Sequence, residues 1–176
     1  MTGVRDWVWR WAGSTVFALS PKPSYRFRAR LLRLFGARVD PDARFRASVV
    51  IERPWLVRAG PRTMFGDDVV IWGDGEVRVG ARTTISQMCR VCTSRLSEAA
   101  DGRGSVESGN VEIGEDCWVA ADTLVLPGAL VGRGALVGAR STIEGEIEAW
   151  RIASGEPARA RGRRFLRGVS PDETAA

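Results

Sequence analysis

No histidine occurs anywhere in the 176 residues, so any proton transfer by this chain falls to carboxylates, to cysteine or to the substrate itself. Three acids stand in or beside interruptions of an otherwise regular pattern: Asp74 within a Gly73-Asp74-Gly75 turn, and Glu98 and Asp101 in the long segment 94–110. A carboxylate acts as a general base near neutral pH when burial raises its pKa, and these three are the candidates for that role. Trp55, Trp72 and Arg95 flank the same interruptions and are the candidate substrate contacts. Among the cysteines, Cys92 directly precedes the long segment but has no neighbouring base to make it a thiolate, while Cys89 and Cys117 fall at small, inward positions. Packing accounts for all three. With no histidines to ligate it, no metal is expected.

What groups these residues is the period of the chain. An aliphatic side chain returns every six residues at Ile113, Val119, Val125, Val131, Val137 and Ile143, with small residues such as Cys117, Thr123, Ala129, Ala135 and Ser141 four positions after each. Six matches neither the turn of an α-helix nor the alternation of a flat strand, and at fixed period it marks a coil that turns a corner in each repeat. The same beat runs through Val39, Phe45, Ile51, then Ala59, Phe65, Ile71, then Val79, Ile85, Val91. Every interruption follows a third repeat. If three repeats make one triangular coil, Arg53-Pro54, the Asp74 turn and segment 94–110 all leave the prism at one corner, and a loop that long on a regular solenoid is usually functional or disordered. The expected fold is all-β: a parallel β-helix of about five triangular coils over residues 39–150, with loop 94–110, a helical, basic, Trp-rich arm and cap over 1–38, and a basic tail over 151–176.

The net charge of +5 is unevenly distributed. Residues 1–38 carry eight basic groups against one acid, residues 39–150 twelve against seventeen, and residues 151–176 six against three. An acidic solenoid offers no basic face to track a nucleic-acid backbone, so no nucleic-acid partner is expected. In the arm, Val4, Val8, Trp11, Ala18 and Leu19 fall near one helical stripe, with Trp9 and Val16 outside it, and the tryptophans interleave with Arg5 and Arg10. That composition suits either a cap over the first coil or contact of residues 1–20 with an anionic membrane surface. Ser20-Pro21-Lys22-Pro23 ends this helix, and Phe27, Leu31, Leu34 and Phe35 mark a second one that stops at Gly36. No apolar run is long enough to cross a bilayer, and the expected location is the cytoplasm, peripheral on the inner membrane face where the arm binds lipid.

Several runs together carry a resemblance: the hexapeptide repeats themselves, Leu31-Leu32-Arg33-Leu34-Phe35-Gly36-Ala37-Arg38, Pro54-Trp55, Val91-Cys92-Thr93, Ile113-Gly114-Glu115-Asp116-Cys117-Trp118-Val119-Ala120, Val137-Gly138-Ala139-Arg140-Ser141 and Gly155-Glu156-Pro157-Ala158-Arg159. The chain resembles the left-handed β-helix acyltransferases, and within them the acetyltransferases of colanic acid and exopolysaccharide biosynthesis. The resemblance implies a left-handed coil, a homotrimer, and acetyl-CoA as acyl donor in a groove between subunits. Its cofactor track maps to Ala120, Ala121, Ala139 and Arg159, and its acceptor is a sugar or amine.

The family's general base is a histidine at the start of the long loop, and here that stretch reads Thr93-Ser94-Arg95-Leu96-Ser97-Glu98. An asparagine of the family falls at Gly73, and two carboxylates, Glu144 and Glu156, replace residues near the phosphates of the donor. Three functions follow as alternatives. The chain is an acyltransferase whose base is Glu98, Asp101 or Asp74; or an acyltransferase that needs no protein base; or a catalytically degenerate scaffold of the same pathway type.

Overall fold

The computed structural model, which describes residues 4–98 and 104–165, winds the chain into a parallel β-helix with three faces. Face A stacks Arg38–Val39, Val57–Ala59, Val77–Val79, Val111–Ile113, Leu130–Val131 and Glu146–Ile147. Face B stacks Arg44–Phe45, Met64–Phe65, Thr84–Ile85, Trp118–Val119, Leu136–Val137 and Arg151–Gly155, and face C stacks Val50–Ile51, Val70–Trp72, Arg90–Cys92, Leu124–Val125 and Thr142–Ile143. Five coils are complete and a sixth contributes two faces.

The six-residue beat is the inward register of these faces. Val39 lies opposite Ala59 and Ala59 opposite Val79 on face A, Phe45 opposite Phe65 on face B, and Ile51 opposite Ile71 and Ile71 opposite Val91 on face C. All of them are buried. Phe45 and Phe65 stack at 4.4 Å between centroids, filling the wide first two coils with ring on ring. The tight corners need a left-handed residue at their third position, supplied by Arg62, Arg82, Asp116 and Trp150 between faces A and B, and by Asp68, Met88, Asp122 and Arg140 between B and C. Each L-residue in that conformation is disfavoured by about 1–2 kcal/mol, which the coil-to-coil ladder of hydrogen bonds offsets. Coils approach so closely at the A–B corner that a Cβ on Gly114 would lie 2.8 Å from the backbone nitrogen of Arg133.

The solenoid runs on past residue 150. Arg151–Gly155 pairs in parallel with Leu136–Val137 and antiparallel with Ala158–Arg163, so the first part of the basic tail is the last rung of face B. Arg164 then donates to the carbonyls of Asp116, Gly134 and Ala135 along one corner.

The arm caps the first coil, but with a different face from the expected stripe. Its helix runs α1 (Val4–Val8), a π-helical turn (Trp9–Gly13) and α2 (Ser14–Ala18). The π turn shifts the phase, so that Trp9, Gly13 and Phe17 point inward together. Trp9 is 2% exposed, donates its indole N–H to the Ile51 carbonyl at 2.7 Å, and meets the edges of Phe17 and Phe35. Val4, Trp11 and Leu19, which lie on the stripe read from the sequence, are outside. In α3 (Tyr25–Leu34) the buried residues are Arg28, Ala29 and Leu32, whereas Phe27 and Leu34, which mark the helix in the sequence, are exposed.

Arg28 explains that displacement. Fully buried, it donates to the carbonyls of Phe45, Pro21 and Lys22 and to the Ser20 hydroxyl, closing the end of α2, the proline turn and the first coil with one planar fork. Burial pushes its pKa down from the ordinary arginine value. Among the described residues, no helix is long and apolar enough to cross a membrane.

Candidate functional site

The three interruptions do meet at the corner between faces C and A. The Asp74 turn is laid over Thr93 and Ser94 by three backbone donors: Gly73 N–H to Glu52 Oε2, Asp74 N–H to Ser94 Oγ and Gly75 N–H to Thr93 Oγ1, all at 3.0 Å. Gly73 has a φ of +111°, and a Cβ there would sit 2.7 Å from the Ser94 nitrogen, so the turn has no room for the asparagine expected from the family pattern. Ser94, 4% exposed, also bonds Ser108 Oγ at 2.9 Å across the base of the long loop. The loop is an antiparallel hairpin of Ser94–Glu98 with Gly104–Ser108, with Arg95 opposite Glu107.

Arg95 stands in the stretch where the resemblance places the family's histidine, and its guanidinium is already engaged on two sides. Nε donates to Glu107 at 2.7 Å and Nη1 to Glu144 at 3.3 Å. Glu144 lies two coils further along the prism, just past Thr142–Ile143 on face C. The hairpin is thereby tied down along the corner. The charge of Glu144 is met by Arg95, so these two departures from the family pattern pair with each other.

Glu52, Asp74 and Glu76 at this corner are paired as well. Arg53 forms an ion pair with Asp74 and approaches Glu52 at 3.9 Å, while Glu76 bridges Arg58 and Arg78. Although its burial pushes the Glu76 carboxyl up, hydrogen bonds from Arg58 and Arg78 outweigh it and hold the group below the usual range. A carboxylate whose lone pairs serve a guanidinium is stabilised as the anion and is a poor proton acceptor. Glu98 ends the outgoing strand of the hairpin opposite Gly104, and Asp101 lies outside the described residues.

The candidate substrate residues are divided. Trp72 projects outward at this corner and donates its indole N–H to Cys92 Sγ at 2.8 Å. Trp55 is half-buried under Arg5, whose guanidinium carbon is 3.9 Å from the ring centroid, so it joins the arm to the first coil. Cys89 and Cys92 are in fact spaced as Cys-x-x-Cys, yet both are free and buried, and burial raises both thiols. Glu52, Glu107 and the Glu107–Arg95–Glu144 chain were not visible in the sequence. Only strand alternation in the hairpin could have pointed to Glu107.

The candidate cofactor residues occupy a different edge. Ala120 and Ala121 form the B–C corner of the fourth coil, Ala139 stands at that corner of the fifth, and Arg140 N–H bonds the Ala121 carbonyl between them. Arg159 is exposed on the final hairpin beyond the same edge. Face C therefore separates this small-residue track from the Asp74–Arg95 corner within one chain.

The fold is shared with known transferases. Residues 110–145 match the bacterial transferase hexapeptide family, described as six repeats. The "Putative colanic acid biosynthesis acetyltransferase WcaF" of Escherichia coli strain K12 is 39% identical over 151 residues, which span 86% of this chain and 82% of that protein. A maltose O-acetyltransferase from Clostridium difficile 630 superposes with a TM-score of 0.80 at 18% identity, covering 92% of this chain and 87% of its own. A hexapeptide-repeat acetyltransferase from Vibrio cholerae O1 biovar eltor, complexed with acetyl coenzyme A, gives 0.76 at 20% identity, with 87% and 84% covered. The chain belongs to the left-handed β-helix, hexapeptide-repeat acyltransferases. Its likeness there is to the acetyltransferases of colanic acid and exopolysaccharide biosynthesis.

Proposed function

We propose that the protein transfers an acetyl group from acetyl-CoA to an amino group on a sugar precursor of a polysaccharide or glycoconjugate, without a protein general base. The observation that carries this is the pairing of Glu52, Asp74, Glu76, Glu107 and Glu144 at the acceptor corner with arginine, in a chain that has no histidine. A hydroxyl needs its proton removed as it attacks. An amine with a pKa of about 8 is roughly one-tenth neutral at pH 7 and attacks the thioester carbon through its own lone pair. The C–S bond then breaks, the sulfur leaves as thiolate, and the proton shed by nitrogen passes to it or to solvent. Asp74→Asn, Glu98→Gln and Asp101→Asn are expected to keep most of the rate, which rises with pH along the neutral fraction of the acceptor amine. A drop of about 10²-fold in any one of the three amides would instead identify a carboxylate base.

Donor and acceptor elements lie on two edges of one prism, so the reading includes a homotrimer in which Ala120, Ala121, Ala139 and Arg159 of one copy face the Asp74–Arg95 corner of the next.

The arm's outer face supports a second element of the reading, contact with anionic membrane. Val4, Trp7, Trp11 and Leu19 are between 64% and 82% exposed, beside the exposed cations Arg10, Lys22, Arg26, Arg30 and Arg33. Exposed indoles with flanking arginines suit the headgroup layer of anionic lipid. Deleting the arm would strip Trp9 and Phe17 from the core, so the test is a Trp7→Ser/Trp11→Ser double variant. It is expected to lose co-flotation with phosphatidylserine vesicles at unchanged Tm, and equal flotation of both proteins would leave the arm as a cap alone.

A further inference from the structure

Face A carries a feature that the acyl-transfer chemistry does not use. Its outward positions in the first three coils are Arg38, Arg58 and Arg78, held in direct register. At the usual strand spacing of about 4.8 Å the three guanidinium stems span roughly 10 Å. Like charges stacked this way repel, and a ladder of them needs an anion. The protein supplies only part of it: Glu76 is shared by Arg58 and Arg78, Glu112 reaches Arg78 at 3.2 Å, and among the described residues Arg38 has no acidic partner. Beside the ladder, the glycines of the A–B corner leave a trough of about 600 Å³. Its far end changes character, with Glu112, Leu130 and Glu146 continuing the same column.

We propose that this ladder binds the diphosphate of an activated-sugar acceptor. The cationic stretch is short and ends in Glu112 and Glu146, which matches two adjacent anionic groups and opposes a long polyanion. Guanidinium forks pair with phosphate oxygens in bidentate fashion, and Arg58 and Arg78 keep donors beyond those used on Glu76. The ladder also adjoins the acceptor corner, because Glu76, its bridging acid, directly follows the Gly73-Asp74-Gly75 turn. A sugar whose diphosphate lies on face A would place its ring at the turn over Ser94. The inference rests on the acyltransferase reading, to which it adds the acceptor's anionic handle.

The test is calorimetric titration of the full chain with inorganic pyrophosphate, in the presence of saturating CoA to block the donor groove. Saturable binding is expected, weakened about tenfold in Arg38→Ser and in Arg58→Ser and unchanged in Arg90→Ser, an exposed arginine of face C. Absence of binding, or equal weakening in all three variants, would overturn the proposal. So would a fall in molecular mass of Arg38→Ser by light scattering, which would assign the ladder to contact between copies. Acetyl-CoA binding measured on the same samples separates the two readings: its absence from the wild-type chain would defeat the acyltransferase function, while the pyrophosphate comparison, repeated without CoA, still reads the ladder.

Discussion

An Arg95→His variant is expected to acetylate hydroxyl acceptors about 10²-fold or more faster than the wild-type chain, the usual gain from a positioned general base. Arg95 sits at the second rung of the hairpin, opposite Glu107 and within reach of Glu144. A histidine there has a carboxylate ready to accept one ring N–H and fix the tautomer, leaving the other nitrogen to take the acceptor's proton. The rate on hydroxyls should rise through a pH near 6.5, the ordinary imidazole value, whereas the wild-type rate on amines follows the acceptor. Acetyl-CoA binding that persists with no gain on hydroxyls would show that this corner does not hold the acceptor.

The second large effect concerns assembly. Ala139→Trp places a bulky ring on the B–C track, and Asp74→Trp does the same at the C–A corner, both at exposed positions where folding tolerates it. Each variant alone is expected to lose nearly all turnover. Mixed by co-expression, the two should recover about one quarter of wild-type activity, because in random assemblies that fraction of clefts receives a wild-type edge from each neighbour. If donor and acceptor met within one chain, the mixture would stay inactive.

The solenoid was legible because its signal is repetitive. Each inward residue is reinforced by the next coil, so Val39, Ala59 and Val79, or Ile51, Ile71 and Val91, could be placed without knowing any contact. The meeting of three interruptions at one corner followed from counting alone. The arm was misread because its phase is not helical throughout. A π turn at Trp9–Gly13 carries Trp9 inward, and the choice of buried face was made by the Ile51 carbonyl, which lies 42 residues away. In α3 an arginine is buried beside Ala29 and Leu32, and only carbonyl groups gathered by the fold make that burial tolerable. The electrostatics of the corner were illegible for a related reason. Arg95 and Glu144 are 49 residues apart, and no local pattern joins them.

On the proposed base-free reading, acceptor protonation governs turnover. The most direct measurement is thiol release from acetyl-CoA with matched acceptors, an amino sugar and its hydroxyl counterpart, over a range of pH. The account predicts release with the amine alone, at a rate that climbs with the neutral amine until it levels above the acceptor's pKa. Release with neither acceptor while acetyl-CoA still binds, or with the hydroxyl sugar as readily as with the amine, would contradict it.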